Sequence, residues 1–384
     1  MVVTLRRFGR VAIAVLVLAG VAWAGLASRA AVEASRAAVE TLRIPEGGRL
    51  PRAVVDAAGT VHVAYVGGGT HRANLFHVAR ESGGPGWSEP QRVNSRALSV
   101  SGVGPVDGAQ LALGPDDRLH VVWLQAEPAR FFYTRSLEDG SGFEPQRDLS
   151  TGHEGNVEAG PAVAVDRGGN VFVFWHAGAV EDARRSVYLT VSRDGGTTFE
   201  PARRVSPATE GACACCGLAA MAGPEGAVHV SYRGAGDNVR RGQRLLTSTD
   251  GGRSFSDRLV HPWELAACPV STTSLFAGPR GLTAAWETRG QVHFADVDRL
   301  EAVRAPPGQA RFRRKNPAAA VDARGDTLLA WGDGPGFSFG GSLHWQVFDA
   351  AGRPLGEAGG GAGTIIEGST VAAVVQDGRF LVIY

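Results

Sequence analysis

Apolar residues along this chain come in short, nearly continuous runs broken by Asp- and Gly-containing turns, and not at the three-to-four spacing of amphipathic helices. In the stretch Pro161–Trp175, the runs PAVAVD and NVFVFW are rich in β-branched and aromatic residues and are split by Asp166-Arg167-Gly168-Gly169. Glycine supplies the positive φ of such a turn, and aspartate bonds its own backbone two residues on. Runs without polar alternation suit strands buried on both faces. A third strand follows at Ser186–Ser192 (SVYLTVS) and a fourth around Phe199–Val205.

The unit repeats. Pro51, Asp56, Gly59 and Tyr65 share their offsets with Pro161, Asp166, Gly169 and Trp175, and with Pro317, Asp322, Gly325 and Trp331. Looser copies end at Trp123, Tyr232, Trp286 and Tyr384, so successive strand-end aromatics lie 58, 52, 57, 54, 45 and 53 residues apart. A period near fifty with four strands per unit predicts an all-β fold, a β-propeller of four-stranded blades. Seven first-and-second strand pairs predict seven blades, with six as the rival. The last pair ends at Tyr384 without third or fourth strands, so a strand from Thr41–Pro45 is expected to close the ring.

Between third and fourth strands, Ser192-Arg193-Asp194-Gly195-Gly196-Thr197-Thr198-Phe199 and Ser248-Thr249-Asp250-Gly251-Gly252-Arg253-Ser254-Phe255 share a second pattern. Both resemble Asp-boxes, S/T-x-D-x-G-x-x-F/W, which mark the sialidase-like (BNR-repeat) propellers. The resemblance implies a structural role for Ser192, Asp194, Gly196, Phe199, Ser248, Asp250, Gly252 and Phe255. Ser136–Phe143 is a degraded copy with Glu138 in place of the aspartate.

Composition changes the picture little. The 384 residues include 53 glycines and carry a formal net charge of +1, so no global field draws the chain to nucleic acid or to an anionic membrane. The N-terminus stands apart. Arg6, Arg7 and Arg10 precede an apolar run from Val11 to Leu26 and then small residues, the pattern of an export signal. Residues 1–30 therefore read as a signal peptide or membrane anchor, 31–44 as a helical linker and closing strand, and 45–384 as the propeller. The expected location is periplasmic or extracellular, with membrane contact only through the N-terminal segment.

In such blades the fourth-to-first and second-to-third connections emerge on one face, opposite the Asp-box turns, and ligands usually bind there. All four cysteines fall on that side. Cys213, Cys215 and Cys216 lie in the connection entering the fourth unit, and Cys268 in the one entering the fifth. Exported cysteines oxidise, so a disulfide from Cys268 to the triplet is expected. Four thiolates would equally suit copper or zinc. The region Cys213–Trp286 also resembles exported bacterial sialidase-like proteins with a C-x-C-C … Y-R … Asp-box … W … C-P-V pattern, matched here by Tyr232-Arg233 and Trp263…Cys268-Pro269-Val270.

Polar groups after the second strands supply ligand-binding candidates: His176, Arg233, Asp237, Arg240 and Glu287, with Tyr232 beside the cysteines. Arg233 suits a carboxylate or sulfate. His153 and Glu154 are weaker candidates, and Arg311, Arg313, Arg314 and Lys315 crowd the entry to the sixth unit. Family resemblance implies, for a working sialidase, three arginines, a tyrosine nucleophile with a glutamate, and an aspartic acid/base. Leu42-Arg43-Ile44-Pro45 lacks the aromatic of the family's first-arginine motif, and only Tyr232 among five tyrosines has a suitable neighbourhood. No catalytic residue is assigned. The expected function is a non-catalytic module binding a protein, glycan or small molecule through the cysteine-bearing face. A diverged sialidase-type glycosidase and a soft-metal protein are the alternatives.

Overall fold

The computed structural model describes residues 36–384 except 70–71, 103, 152–156, 224, 309–311 and 335–339. The segment expected to be an export signal, together with His153, Glu154 and Arg311, lies outside the described residues. Seven sheets succeed one another along the chain, antiparallel throughout except for one parallel pairing in the last. Five have four strands, as in the third blade: Ala162–Val165, Val171–Gly178, Arg185–Ser192 and Arg203–Arg204. The repeat turns are as the residues dictate. Asp56, Asp166 and Asp322 accept backbone N–H groups of Thr60, Asn170 and Asp326 at 2.7, 2.9 and 2.9 Å. Gly59, Gly169 and Gly325 sit at φ 84°, 77° and 84°.

The ring is seven-bladed, and its core consists of the spaces between blades. One apolar cluster fills each interface in turn, from blades 1 and 2 around to blades 6 and 7. A seventh cluster closes the circle by packing Val374, Leu381 and Ile383 against Val61, Val63 and Val78. The strand-end aromatics Tyr65, Trp123, Trp175, Tyr232, Trp286 and Trp331 are all buried in these interfaces. In the last blade Val39–Leu42 pairs in parallel with Arg379–Ile383. The Tyr384 N–H donates to Leu42 O and the Ile44 N–H to Tyr384 O, each at 3.0 Å.

Two blades depart from the four-strand expectation. The last has Ala372–Gln376, Arg379–Ile383 and the N-terminal strand. The fifth has Thr273–Gly278, Gly281–Thr288 and Gln291–Asp296, with only a single bridge from Phe294 to Arg304 where the outer strand belongs. This truncation accounts for the shortest aromatic spacing, 45 residues from Trp286 to Trp331. The first strands of all blades surround an axial cavity of about 150 Å³. Arg52 is the one charged side chain among its described lining residues, and its guanidinium donates to Thr370 Oγ1 at 3.0 Å.

Candidate functional site

The two glycine turns on one face are built from contacts within a few residues. Ser192 Oγ accepts the Gly196 N–H at 2.7 Å and donates to Asp194 Oδ1 at 2.7 Å. Asp194 also accepts the Thr198 N–H at 2.8 Å and its hydroxyl at 2.6 Å. Ser248, Asp250, Gly252 and Ser254 repeat this, with the Gly252 N–H to Ser248 Oγ at 2.9 Å and the Ser254 hydroxyl to Asp250 Oδ2 at 2.6 Å. Those donors, the threonine and serine hydroxyls foremost, hold both carboxyls well below the usual carboxylate range. Phe199 and Phe255 reach across to the preceding blade, edge-on to Tyr133 and Phe174 at 4.9 and 6.0 Å between centroids. These bonds hold the turn shut and aim no group outward.

The opposite face gathers the sulfurs. Cys215 and Cys268 form a disulfide across blades 4 and 5, with Cα atoms 6.7 Å apart. Cys213 and Cys216 are buried thiols. Cys213 Sγ is the hub, 3.3 Å from Cys215 Sγ, 3.2 Å from Cys216 Sγ and 3.9 Å from Cys268 Sγ. Together with Ala235 the three buried cysteines make a small core separate from the seven blade interfaces.

Long-range hydrogen bonds hold this loop. Asp182, from the third blade's second-to-third connection, accepts the Ala212 N–H on its carbonyl at 3.0 Å and the Ala214 N–H on Oδ1 at 3.1 Å. Arg241 binds its Oδ2 at 2.8 Å. The Cys213 N–H donates to Arg233 O at 2.9 Å, and the Gly217 N–H to Ser271 O at 2.9 Å. The Arg233 guanidinium is wholly buried beneath the sulfurs. It donates to Arg241 O and Ser271 Oγ, both at 2.9 Å, and to Glu287 O, and it lies 5.2 Å from the Trp263 ring centroid.

Burial under a low dielectric would push both thiols up, yet they split. The hydrogen bond shared with Cys216, then burial, raises Cys213 well above the ordinary thiol range. Burial is outweighed at Cys216 by that same bond and by the Arg233 charge, which pull it down to about 7.

Around Cys268 lies a pocket of about 380 Å³ walled by Trp263, Glu287, Arg289, Arg313 and Lys315. Cys268, Arg289 and Arg313 are exposed, and the two arginines form no ion pair among the described residues. Lys315 donates to Pro269 O at 2.7 Å. Glu287 is buried; its Oε1 accepts the Gly290 N–H at 2.7 Å, while Oε2 has no hydrogen-bond partner among the described residues.

The remaining candidates disperse. Tyr232 is buried between blades, its hydroxyl donating to Asp257 Oδ1 at 3.0 Å, and burial raises its pKa. His176 is also buried, and burial lowers it to about 3. Asp237 and Arg240 pair with each other at 2.7 Å on an exposed loop tip. Sequence inspection passed over Ser271, which joins Arg233 to the loop; no motif marks it.

No family model matches the chain, and no curated protein matches its sequence. Its fold is similar to that of an α-L-arabinofuranosidase from Fusarium graminearum, with TM-score 0.54 and 11% identity over 84% of this chain and 97% of that one. It is similar also to an α-L-arabinanase from Penicillium chrysogenum, with TM-score 0.52 and 13% identity over 80% and 95%. A Hadza microbial sialidase overlaps more loosely, with TM-score 0.48 and 13% identity over 82% and 74%. At such identities the likeness is one of fold: a β-propeller of the kind that glycosidases share.

Proposed function

We propose that this chain is an exported propeller that binds a ligand or partner through its cysteine-bearing face and does not hydrolyse glycosides. The observation that carries the reading is the convergence of Cys268, Glu287 and three cations on one pocket, with the three buried sulfurs gathered behind Cys268. Tyrosine placement supports it as well. Tyr65, Tyr133 and Tyr232 are buried inside blade interfaces, and Arg233, bound to backbone carbonyls and Ser271, faces the sulfurs and not the axial cavity. The cavity itself has Arg52 where an arginine triad would be needed. Its bound partner would be a protein, glycan or small anionic molecule, because Arg289, Arg313 and Lys315 outnumber Glu287 at the pocket.

Purified protein tests this with fluorogenic sialosides and arabinofuranosides: no turnover is expected, and turnover abolished by Tyr232→Phe would overturn the reading. A second reading rests on the sulfurs alone. Cys213, Cys215 and Cys216 offer sulfurs all within 4.8 Å of one another, a set that soft thiolate-seeking copper or zinc accepts once the disulfide is reduced. Metal analysis of reduced protein decides it, with about one equivalent per chain in favour and none against.

A further inference from the structure

We infer that the four cysteines form a thiol–disulfide relay, in which the buried Cys213/Cys216 dithiol supplies two electrons through Cys215 and Cys268 to a disulfide-bearing peptide in the cationic pocket. The inference rests on the ligand-binding reading of this face and gives it a substrate class.

Geometry sets the order of steps. Cys213 Sγ lies 3.3 Å from Cys215 Sγ and 3.2 Å from Cys216 Sγ, so it can both attack the bridge and be attacked in turn. In the first exchange Cys213 passes its proton to Cys216, 3.2 Å away, as its sulfur forms a bond to Cys215; the Cys215–Cys268 bond breaks, and Cys268 leaves as a thiolate into the pocket. In the second, Cys216 bonds to Cys213 and releases Cys215. The bridge has moved from 215–268 to 213–216, with no net gain or loss of electrons. The exposed Cys268 thiolate then attacks the substrate disulfide and expels one thiol. Finally Cys215 attacks Cys268, expels the second thiol and restores the original bridge. The balance is one protein dithiol and one substrate disulfide giving one protein disulfide and two substrate thiols. The two thiol protons of Cys213 and Cys216 pass to the two leaving groups.

Other sulfur arrangements fit less well. A purely structural bridge needs neither a second buried pair within 4 Å nor an exposed sulfur at a pocket. Exposed Arg289 and Arg313 with Lys315 favour a peptide with acidic residues or carboxylates beside its cysteine. Oε2 of buried Glu287, which has no hydrogen-bond partner among the described residues, offers an acceptor for a donor on that peptide, such as a backbone N–H.

The probe is oxidised glutathione, an anionic peptide disulfide, with cystamine as its cationic counterpart. Full-length protein from an oxidising compartment should show two alkylatable thiols on denaturation. After oxidised glutathione it should show none, release two equivalents of glutathione, and carry a 213–216 bridge by peptide mapping. Cystamine should react at least tenfold more slowly, and Arg313→Gln with Lys315→Gln should erase that preference. Cys216→Ser should stop halfway, releasing one equivalent and trapping glutathione on Cys268. Should that variant fail to fold, Cys213→Ala should release none and leave Cys268 unmodified. No glutathione release by the native protein, thiol loss without a 213–216 bridge, or sulfurs withheld by a bound metal would each overturn the relay. Protein that binds oxidised glutathione without exchanging sulfur would overturn it too, while leaving the binding face intact. Glycoside turnover would instead strike the binding-face reading alone.

Discussion

The two faces of this ring take their shape from different kinds of contact. On the turn face, Ser192, Asp194, Gly196 and Thr198 bond one another over two to four residues, and the fourth blade repeats the arrangement. On the loop face, Asp182 meets Arg241 across 59 residues, Arg233 meets Ser271 across 38, and Cys215 meets Cys268 across 53. Local contacts shape each hairpin, and Arg135, Arg147 and Arg203 of the preceding blades then donate to its carbonyls and dock it. Long-range contacts hold charges and sulfurs in place that the chain could not assemble alone, and they leave an oxygen of Glu287 without a hydrogen-bond partner among the described residues. Chemistry belongs on the second kind of face.

That contrast can be broken most forcefully at Arg233. Replacing it by leucine strips the buried sulfurs and the Ser271 hydroxyl of their cation, and chemical denaturation should show a loss of about 3–5 kcal/mol. If the loss is under about 1 kcal/mol, the loop face is not held by its buried charge. Reducing the Cys215–Cys268 bridge should follow closely. In the chain-entropy model a loop of this length contributes about 4 kcal/mol, so melting with and without reductant should differ accordingly.

His176 provides a pH test of the same face. Its folded value, near 3, lies below the ordinary 6.5 because burial opposes the charge, so the unfolded chain binds the extra proton. Stability from this group is complete above pH 6.5 and is lost as pH falls toward 3. By pH 5 the loss should reach about 2 kcal/mol. Since neither ring nitrogen has a partner among the described residues, His176→Leu sacrifices no hydrogen bond and should flatten that part of the profile. An unchanged slope would show that His176 is not the titrating group.

The turn face should respond differently. Gly252 sits at φ 84°, and an added Cβ would stand 2.9 Å from Phe172. Gly252→Ala should therefore cost about 1–3 kcal/mol through strain, with the thiol count and glutathione exchange unchanged. Asp250→Asn keeps the acceptor for the Ser254 N–H, reverses the Ser254 hydroxyl bond at the second oxygen so that the amide donates to it, and removes charge from an exposed turn. It should give the smallest shift in melting temperature of the series. Altered sulfur chemistry in either variant would show that the faces communicate.

Wherever information is local or periodic, the fold is legible in the residues. Apolar runs, the Asp-x-x-Gly turns and a strand-end aromatic about every fifty residues specify strands, hairpins and repeating blades, because each is decided by a φ angle, a short hydrogen bond or a buried face. The missing outer strand of the fifth blade registers only as a shortened spacing, since segment length says that something is absent but not what. For the site, sequence and blade topology place Cys268 opposite the triplet, yet they leave open which sulfur it bonds. Tyr232 and Arg233 look alike as neighbours along the chain. Strand alternation and packing bury Tyr232 against Asp257 in a blade interface and Arg233 under the sulfurs. The sequence by itself determined the repeating unit and the face on which the cysteines emerge, and it favoured seven blades over six. Only the tertiary structure decided that Cys213 is the hub, that Asp182 and Ser271 hold the loop, and that Arg289, Arg313 and Lys315 surround Cys268. Those contacts join different blades, and their distances follow from ring closure, which no local stretch of chain encodes.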